Sequence, residues 1–477
     1  MSTEAIKEPE PVQPGSLTFA AVTRPIDPAW AWAPYQPDAQ HPWTPALAGH
    51  LYRRAAFGAN WDQLQQALAD GPQKTIDTLL KPQADASALN RADDQYDDSA
   101  AGSDSADNLR AWWLRRMIHT PHPLLEKMTL FWHNHFAVSN ARVKNGKLMQ
   151  QHIALLREHA LGSFRPLLKA ISHDPAVLLS VDSANNRKAI SNKNFVRVLF
   201  EEYTLGAGQY TEQDISEAAR AFTGWFILRG TLQSIPREHD DGRKSILGQQ
   251  GNFSGDDVVN IALDNPYTPR RLVGKLYEWL LSETEPPEDA LIEPLAQSFG
   301  RDYDVTKLVE TILRSNLFFS PIAYRQRIKS PVEYALGVIH GLDGMVSTTQ
   351  LAQDLAGLGQ NLYHPPTIKG WTGGRHWINT ASLTGRNNLA VALLQGSGAY
   401  GDTINPRKIA QSHQRSTVPS ATQFMLDLFV QNDLPKTVRD GILEGEPETP
   451  GSANTDLDSI VRQSAHSIVT LAEYHLA

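Results

Sequence analysis

The residues best suited to chemistry stand inside one apolar run, Glu126-Lys127-Met128-Thr129-Leu130-Phe131-Trp132-His133-Asn134-His135-Phe136. A carboxylate and two imidazoles among Phe and Trp must be hydrogen-bonded or liganded, because desolvating an unpartnered polar group costs roughly 2–7 kcal/mol. On a helix Glu126 and His133 share a face, whereas His135 points into the stripe of Met128, Phe131 and Trp132. Residues two apart do not face each other, so His133 and His135 reach one ion only if the helix ends there. Two readings stand open. The histidines are satisfied core groups, or the segment floors a site in which Glu126, His133 and His135, with Asp240 from a distant loop, ligate one divalent metal ion.

That loop, His239-Asp240-Asp241-Gly242, supplies a second candidate, since a carboxylate beside an imidazole can orient it for proton transfer or join it on a metal. A third group is cationic and lies in or beside apolar helical runs: Arg53 and Arg54, Arg197 and Arg220, Lys244, Arg270 and Arg271, Arg327 and Lys329. Buried arginine is paired or it binds an anion. Pairs Arg197–Glu201 and Arg220–Glu217 satisfy the first reading. A pocket for a carboxylated, sulfated or phosphorylated ligand, drawing on Lys193, Arg197, Glu201 and Lys244, satisfies the second. The stretch Leu205-Gly206-Ala207-Gly208-Gln209 follows a helical pattern rather than a strand, so it is no dinucleotide fingerprint.

Helices must position these groups. Apolar residues at spacings of three and four predict helices over 61–80, 109–118, 124–136, 147–159 and 195–205. Thr211 to Asp214 reads as a capping box for the helix through Phe226, and Gly206 as the stop of the helix before it. Ser330 caps a helix that begins at Pro331, with Glu333 in its first turn. Residues 82–107 read as a solvated acidic loop, 230–256 as a polar loop with one small hairpin, and 361–386 as a Gly/Pro/Trp-rich loop. A final helix is expected over 456–476. Residues 1–44 form a Pro- and Trp-rich arm. Trp30, Trp32, Tyr35 and Trp43 are costly to leave in water, so its second half is expected on the body.

With 477 residues, 41% of them hydrophobic, the chain can bury a large core. A net charge of −8 and a pI near 6.1 argue against a nucleic-acid partner. The absence of cysteine removes disulfides, zinc thiolates and cysteine nucleophiles. The first 30 residues lack a basic, then apolar, leader and no stretch of about 18 apolar residues occurs. A cytoplasmic protein with no membrane insertion is therefore expected of the chain as written.

Several ordered blocks carry a resemblance. They are His50-Leu51-Tyr52-Arg53-Arg54-Ala55-Ala56-Phe57-Gly58, the Glu126 to Phe136 run, Asn192-Lys193-Asn194-Phe195, Tyr203-Thr204-Leu205-Gly206, Glu217 to Trp225, His239-Asp240, Lys329-Ser330-Pro331-Val332-Glu333, Pro365-Pro366 and Gly370-Trp371. Together they resemble the large bacterial family known as domain of unknown function 1800, over roughly residues 45 to 477. The resemblance implies a predominantly helical fold and brings no activity with it. That family usually has Asn-Glu-Asn-Phe followed by Arg-Glu, and this chain has Lys193 and Val198 at the acidic positions.

The expectation is an all-α fold, residues 45–477 forming one large multi-helix unit. His133, His239, Asp240 and Arg220 are expected to converge as the catalytic groups of a metal-assisted or histidine-based hydrolase or transferase. His133 would be general base and Arg220 the stabiliser of developing negative charge, on an anionic small molecule or polymer. The alternative is a non-catalytic binding or assembly protein, a degenerate family member whose arm docks on a protein partner or on a second copy.

Overall fold

Helix start signals in the sequence are used where they were expected. Thr211 and Asp214 cap each other reciprocally at the head of Glu212–Ala221, and Ser330 and Glu333 do so at the head of Pro331–Gly341. The structure, a computed structural model, describes residues 26–82, 85–87, 106–284, 286–444 and 457–477. Most of the acidic stretch 82–107 and the arm before residue 26 therefore lie outside the described residues.

The fold is all-α. Its leading helices are α1 (Pro28–Trp32), α2 (Pro45–Ala55), α3 (Trp61–Leu80), α4 (Ala106–His119), α5 (Pro123–His135) and α6 (Gly146–His159). The α3 helix is broken at Gly71, whose φ of 76° precedes Pro72. The predicted helix 195–205 is shorter and widens its hydrogen-bond spacing: Asn194–Val198 is α-helical and Leu199–Tyr203 a π-turn. Thr204 closes it by donating its hydroxyl to the Leu199 carbonyl at 2.6 Å. The wide turn delivers the Tyr203 carbonyl to His135. The last predicted helix is two, Leu457–Val469 and Ala472–His475.

The polar loop holds two hairpins where one was expected. Trp225–Leu228 pairs antiparallel with Thr231–Ser234, and Lys244–Ile246 with Gln249–Gly251. One hydrophobic cluster runs from Ala31 to Tyr474, uniting the chain from arm to C-terminal helix.

From residue 26 the arm lies on this body. Trp32 donates its indole N–H to the Leu291 carbonyl at 2.8 Å and Trp43 to the Ala67 carbonyl at 3.0 Å. Backbone bonds from Tyr35 to Arg314, and from Asn316 and Leu317 back to Ala33 and Ala31, add the arm as a short strand-like edge. Tyr35 stacks at 4.7 Å on Phe319. No described helix is long and apolar enough to cross a membrane.

Candidate functional site

Glu126 lies on α5 and is fully buried. It accepts from Trp113 Nε1 at 2.9 Å, Arg116 Nε at 2.8 Å and Arg157 Nε at 2.7 Å. Burial alone would raise its carboxyl; Arg157 and Arg116 overcome that and hold it below the usual range. With three cationic and indole donors around it, Glu126 ties α4, α5 and α6 together and offers no open face to a metal.

His133 is also fully buried, between Trp113, Tyr363 and Trp371. Its Nε2 accepts the Tyr363 backbone N–H at 3.2 Å, while Nδ1 is left unpartnered. His135 turns the other way, into Phe131, Trp132, Phe136 and Phe164, with Nε2 3.3 Å from the Tyr203 carbonyl. Burial lowers both imidazoles to about 3, assisted at His133 by His152 and at His135 by Arg271, so both are neutral at physiological pH. The Asn134 side chain between them reaches the Trp371 backbone, accepting its N–H at 2.7 Å.

The hairpin candidates form a separate group. Asp240 accepts from Arg220 Nε at 2.8 Å and Nη2 at 3.2 Å, and Arg220 also binds Glu217 at 2.8 Å. The Arg220 hydrogen bonds, then burial acting against them, leave Asp240 lowered to about 2. Lys244 is buried, with Nζ on the Asp240 and Gly242 carbonyls at 2.6 and 3.1 Å. His239 places Nδ1 2.8 Å from the Thr223 carbonyl. The group, with Ser245 N–H on Glu217 at 3.2 Å and Leu247 N–H on Asp214 at 2.7 Å, clamps the second hairpin to the helix Glu212–Ala221.

Arg197 makes a bidentate pair with Glu212 at 2.8 and 2.9 Å in place of the expected Glu201. Lys193 donates to Ser216, and Glu201 accepts from Tyr210 at 2.9 Å and faces Lys369. Val198, at a position where the family is usually acidic, is buried in the core. Among the described residues no hydrogen bond or ring contact joins His133 to His239, Arg220 or Arg197. No group of three or more His, Asp or Glu able to hold a metal ion occurs among them either.

Two further features were not assembled from the sequence. One is a buried charged centre around Glu333, which accepts from Lys127 and from Arg327 Nη1 at 3.2 Å, Arg327 also binding Glu283 at 2.9 Å. Burial would raise the Glu333 carboxyl, yet Arg327 and Lys127 hold it far below the ordinary range. Arg386 stacks over Tyr334 and donates to the Lys329 carbonyl at 2.7 Å. The Lys-Ser-Pro-Val-Glu block carries this centre, and its two bracketing charges were the available signal.

The second is a cleft of about 600 Å³ under the arm. Trp30, Tyr35, Phe319 and Tyr324 give it aromatic walls; Gln36, Gln40, Asn316, Gln431 and Asn432 give it neutral amides. Asp38 and Asp433 add carboxylates, Asp433 being held by the Tyr324 hydroxyl at 2.6 Å and by Arg325 at 3.2 Å. No lysine or arginine lines the cleft among the described residues. It is built from the docked arm, the loop after Val305–Arg314 and the end of Val418–Val430, where Gln431 and Asn432 both take left-handed backbone.

These features define an all-helical protein with a buried cationic centre and an arm-roofed cleft. A profile for the protein family of unknown function DUF1800 matches residues 50–475, and the chain belongs to that family. No curated protein and no solved structure matches it.

Proposed function

We propose that this protein is a non-catalytic binding protein whose ligand occupies the cleft under the arm, and that the ligand is a neutral, polyhydroxylated molecule such as an oligosaccharide segment. The observation that carries this reading is the lining itself: aromatic walls beside five amides, with no fixed cation. Aromatic faces take the C–H face of a sugar ring, and amides offer both a donor and an acceptor to each hydroxyl. An anionic substrate would meet Asp38 and Asp433 with no lysine or arginine among the described lining residues to bind it, the nearby Arg325 being already paired with Asp433. Several residues expected to carry hydrolysis are committed to internal partners, which weakens the catalytic reading: Glu126 to two arginines, Asp240 to Arg220, His135 to a carbonyl.

The test is titration of the full chain with cello-, malto- and chito-oligosaccharides, set against polyphosphate and a sulfated oligosaccharide, followed by tryptophan fluorescence, because Trp30 lines the cleft. A neutral oligosaccharide should give a saturable change that is lost in the double variant Gln36→Ala/Gln40→Ala and kept in His133→Gln. Binding of the anionic probes alone, or neutral binding untouched by the cleft variant, overturns the proposal.

A further inference from the structure

Behind the cleft, Gln431 divides its open space from a much smaller cavity. The same side chain lines the cleft and a small cavity of about 20 Å³ enclosed by Arg53, Lys329, Tyr474 and Gly337 among others. That volume admits about one water-sized occupant. Gly49 leaves room for this placement of Gln431, because a Cβ there would lie 2.3 Å from the Gln431 carboxamide and displace it. Gly337 is required on the opposite wall, where a Cβ would lie 2.8 Å from the Tyr474 hydroxyl.

Neither cation on this cavity forms a salt bridge among the described residues, although Glu333 acts on Lys329 and Asp433 on Arg53 from further off. Arg53 gives one nitrogen to Gln431, a neutral amide, and leaves Nε and Nη2 buried without partners. Lys329 makes no hydrogen bond through Nζ among the described residues; it sits 3.5 Å from the centroid of the Tyr474 ring. Their side chains belong to residues only 8% and 4% exposed. The neighbouring carboxylates are already engaged: Glu333 holds Lys127 and Arg327, Glu283 holds Arg327, and Asp433 holds Arg325. Two ammonium-type charges in a low-dielectric interior, with three or more N–H donors and no acceptor, are expensive unless an anion joins them.

We infer that the cavity between Arg53 and Lys329 is a binding site for one monatomic halide ion, chloride in physiological media. The size selects against phosphate, sulfate and carboxylates, which need more room than one water-sized occupant. The donors suit a spherical anion, which accepts N–H groups from several directions at once. Burial, followed by the charge of Arg53, also pushes Lys329 well below the ordinary lysine range, as expected of a cation whose partner is missing from the surroundings. The halide restores the ammonium form and fixes the Lys329 to Glu333 segment at the head of its helix. This site is independent of the cleft ligand: it is cationic and monatomic in size, where the cleft is large and lined without lysine or arginine among the described residues.

Two measurements on the full chain decide it. Crystals grown in sodium bromide should show one anomalous bromine peak between Arg53 and Lys329, and the melting temperature should be a few degrees higher in chloride or bromide than in gluconate at equal ionic strength. Lys329→Met should abolish that halide dependence. If that variant does not fold, the halide-to-gluconate comparison of the wild type and of Arg53→Lys still decides. A cavity holding only water in bromide, together with a wild-type melting temperature indifferent to the anion, overturns the inference.

Discussion

Glu333 and Asp240 are two carboxylates with similar company and different surroundings. Each accepts from an arginine and from a nearby backbone N–H, Glu333 with Lys127 in addition. The Glu333 and Lys127 side chains are 3% and 0% exposed, however, whereas those of Asp240 and Arg220 are 19% and 28% exposed. The same chemistry therefore acts as an obligatory core connection in one place and as a surface clamp in the other. Water can replace a lost partner of Arg220; it cannot reach Lys127, whose one carboxylate is Glu333. Charge that looks functional in sequence is sorted by burial before it is sorted by chemistry.

The largest expected effect breaks the buried member. Glu333→Gln should destabilise the chain by about 3–5 kcal/mol in denaturant unfolding, because Lys127 loses its counter-charge in the core and Arg327 keeps only Glu283. A loss below about 1 kcal/mol would mean that Lys127 and Arg327 are not truly desolvated.

Acid sharpens the comparison next. His133 and His135 are lowered to about 3 in the folded chain against about 6.5 unfolded, so the unfolded state binds more protons between those values. Their contribution is fully present above pH 6.5 and is lost as pH falls toward 3. At about 1.4 kcal/mol per unit, each costs roughly 3 kcal/mol by pH 4. His135→Phe, which suits the aromatic surroundings, should flatten the stability-versus-pH curve in that window; an unchanged slope would show that His135 is not the buried neutral base described.

A smaller effect belongs to the surface clamp. Asp240→Asn should cost under about 1 kcal/mol at neutral pH, the exposure of both partners discounting the pair. Because Asp240 is lowered to about 2, its contribution is present above pH 4 and lost toward 2, overlapping only the acid end of the histidine window. Hydrogen exchange of residues 225–251 should quicken in this variant while α5 is unaffected. The smallest effect is that of Arg197→Gln, whose pair with Glu212 is open to solvent and should leave the unfolding midpoint within error.

Much of the scaffold was legible. Spacing gave the long helices, and Ser330-Pro331 with Glu333, and Thr211 with Asp214, gave caps at the right residues because capping is a local bargain between neighbours. The π-turn after Val198 was not legible, since its hydrogen-bond shift depends on packing against α5 and leaves no composition signal. Candidate chemistry fared differently. The polar residues of the Glu126 run were recognised as needing partners, but the partners of Glu126 come from Arg116 and Arg157, on two other helices. The cleft was invisible because its walls are drawn from residues near 30–47, 316–324 and 431–433, which only the docked arm brings together.

The central claim is that ligand recognition belongs to this cleft and not to the helix of His133 or the His239 loop. Hydrogen–deuterium exchange of the full chain, with and without a saturating neutral oligosaccharide that binds, tests it most directly. Protection confined to residues 30–47, 316–324 and 431–433 is the predicted result. Protection centred on residues 126–136 or 220–244, with the cleft unchanged, would contradict it.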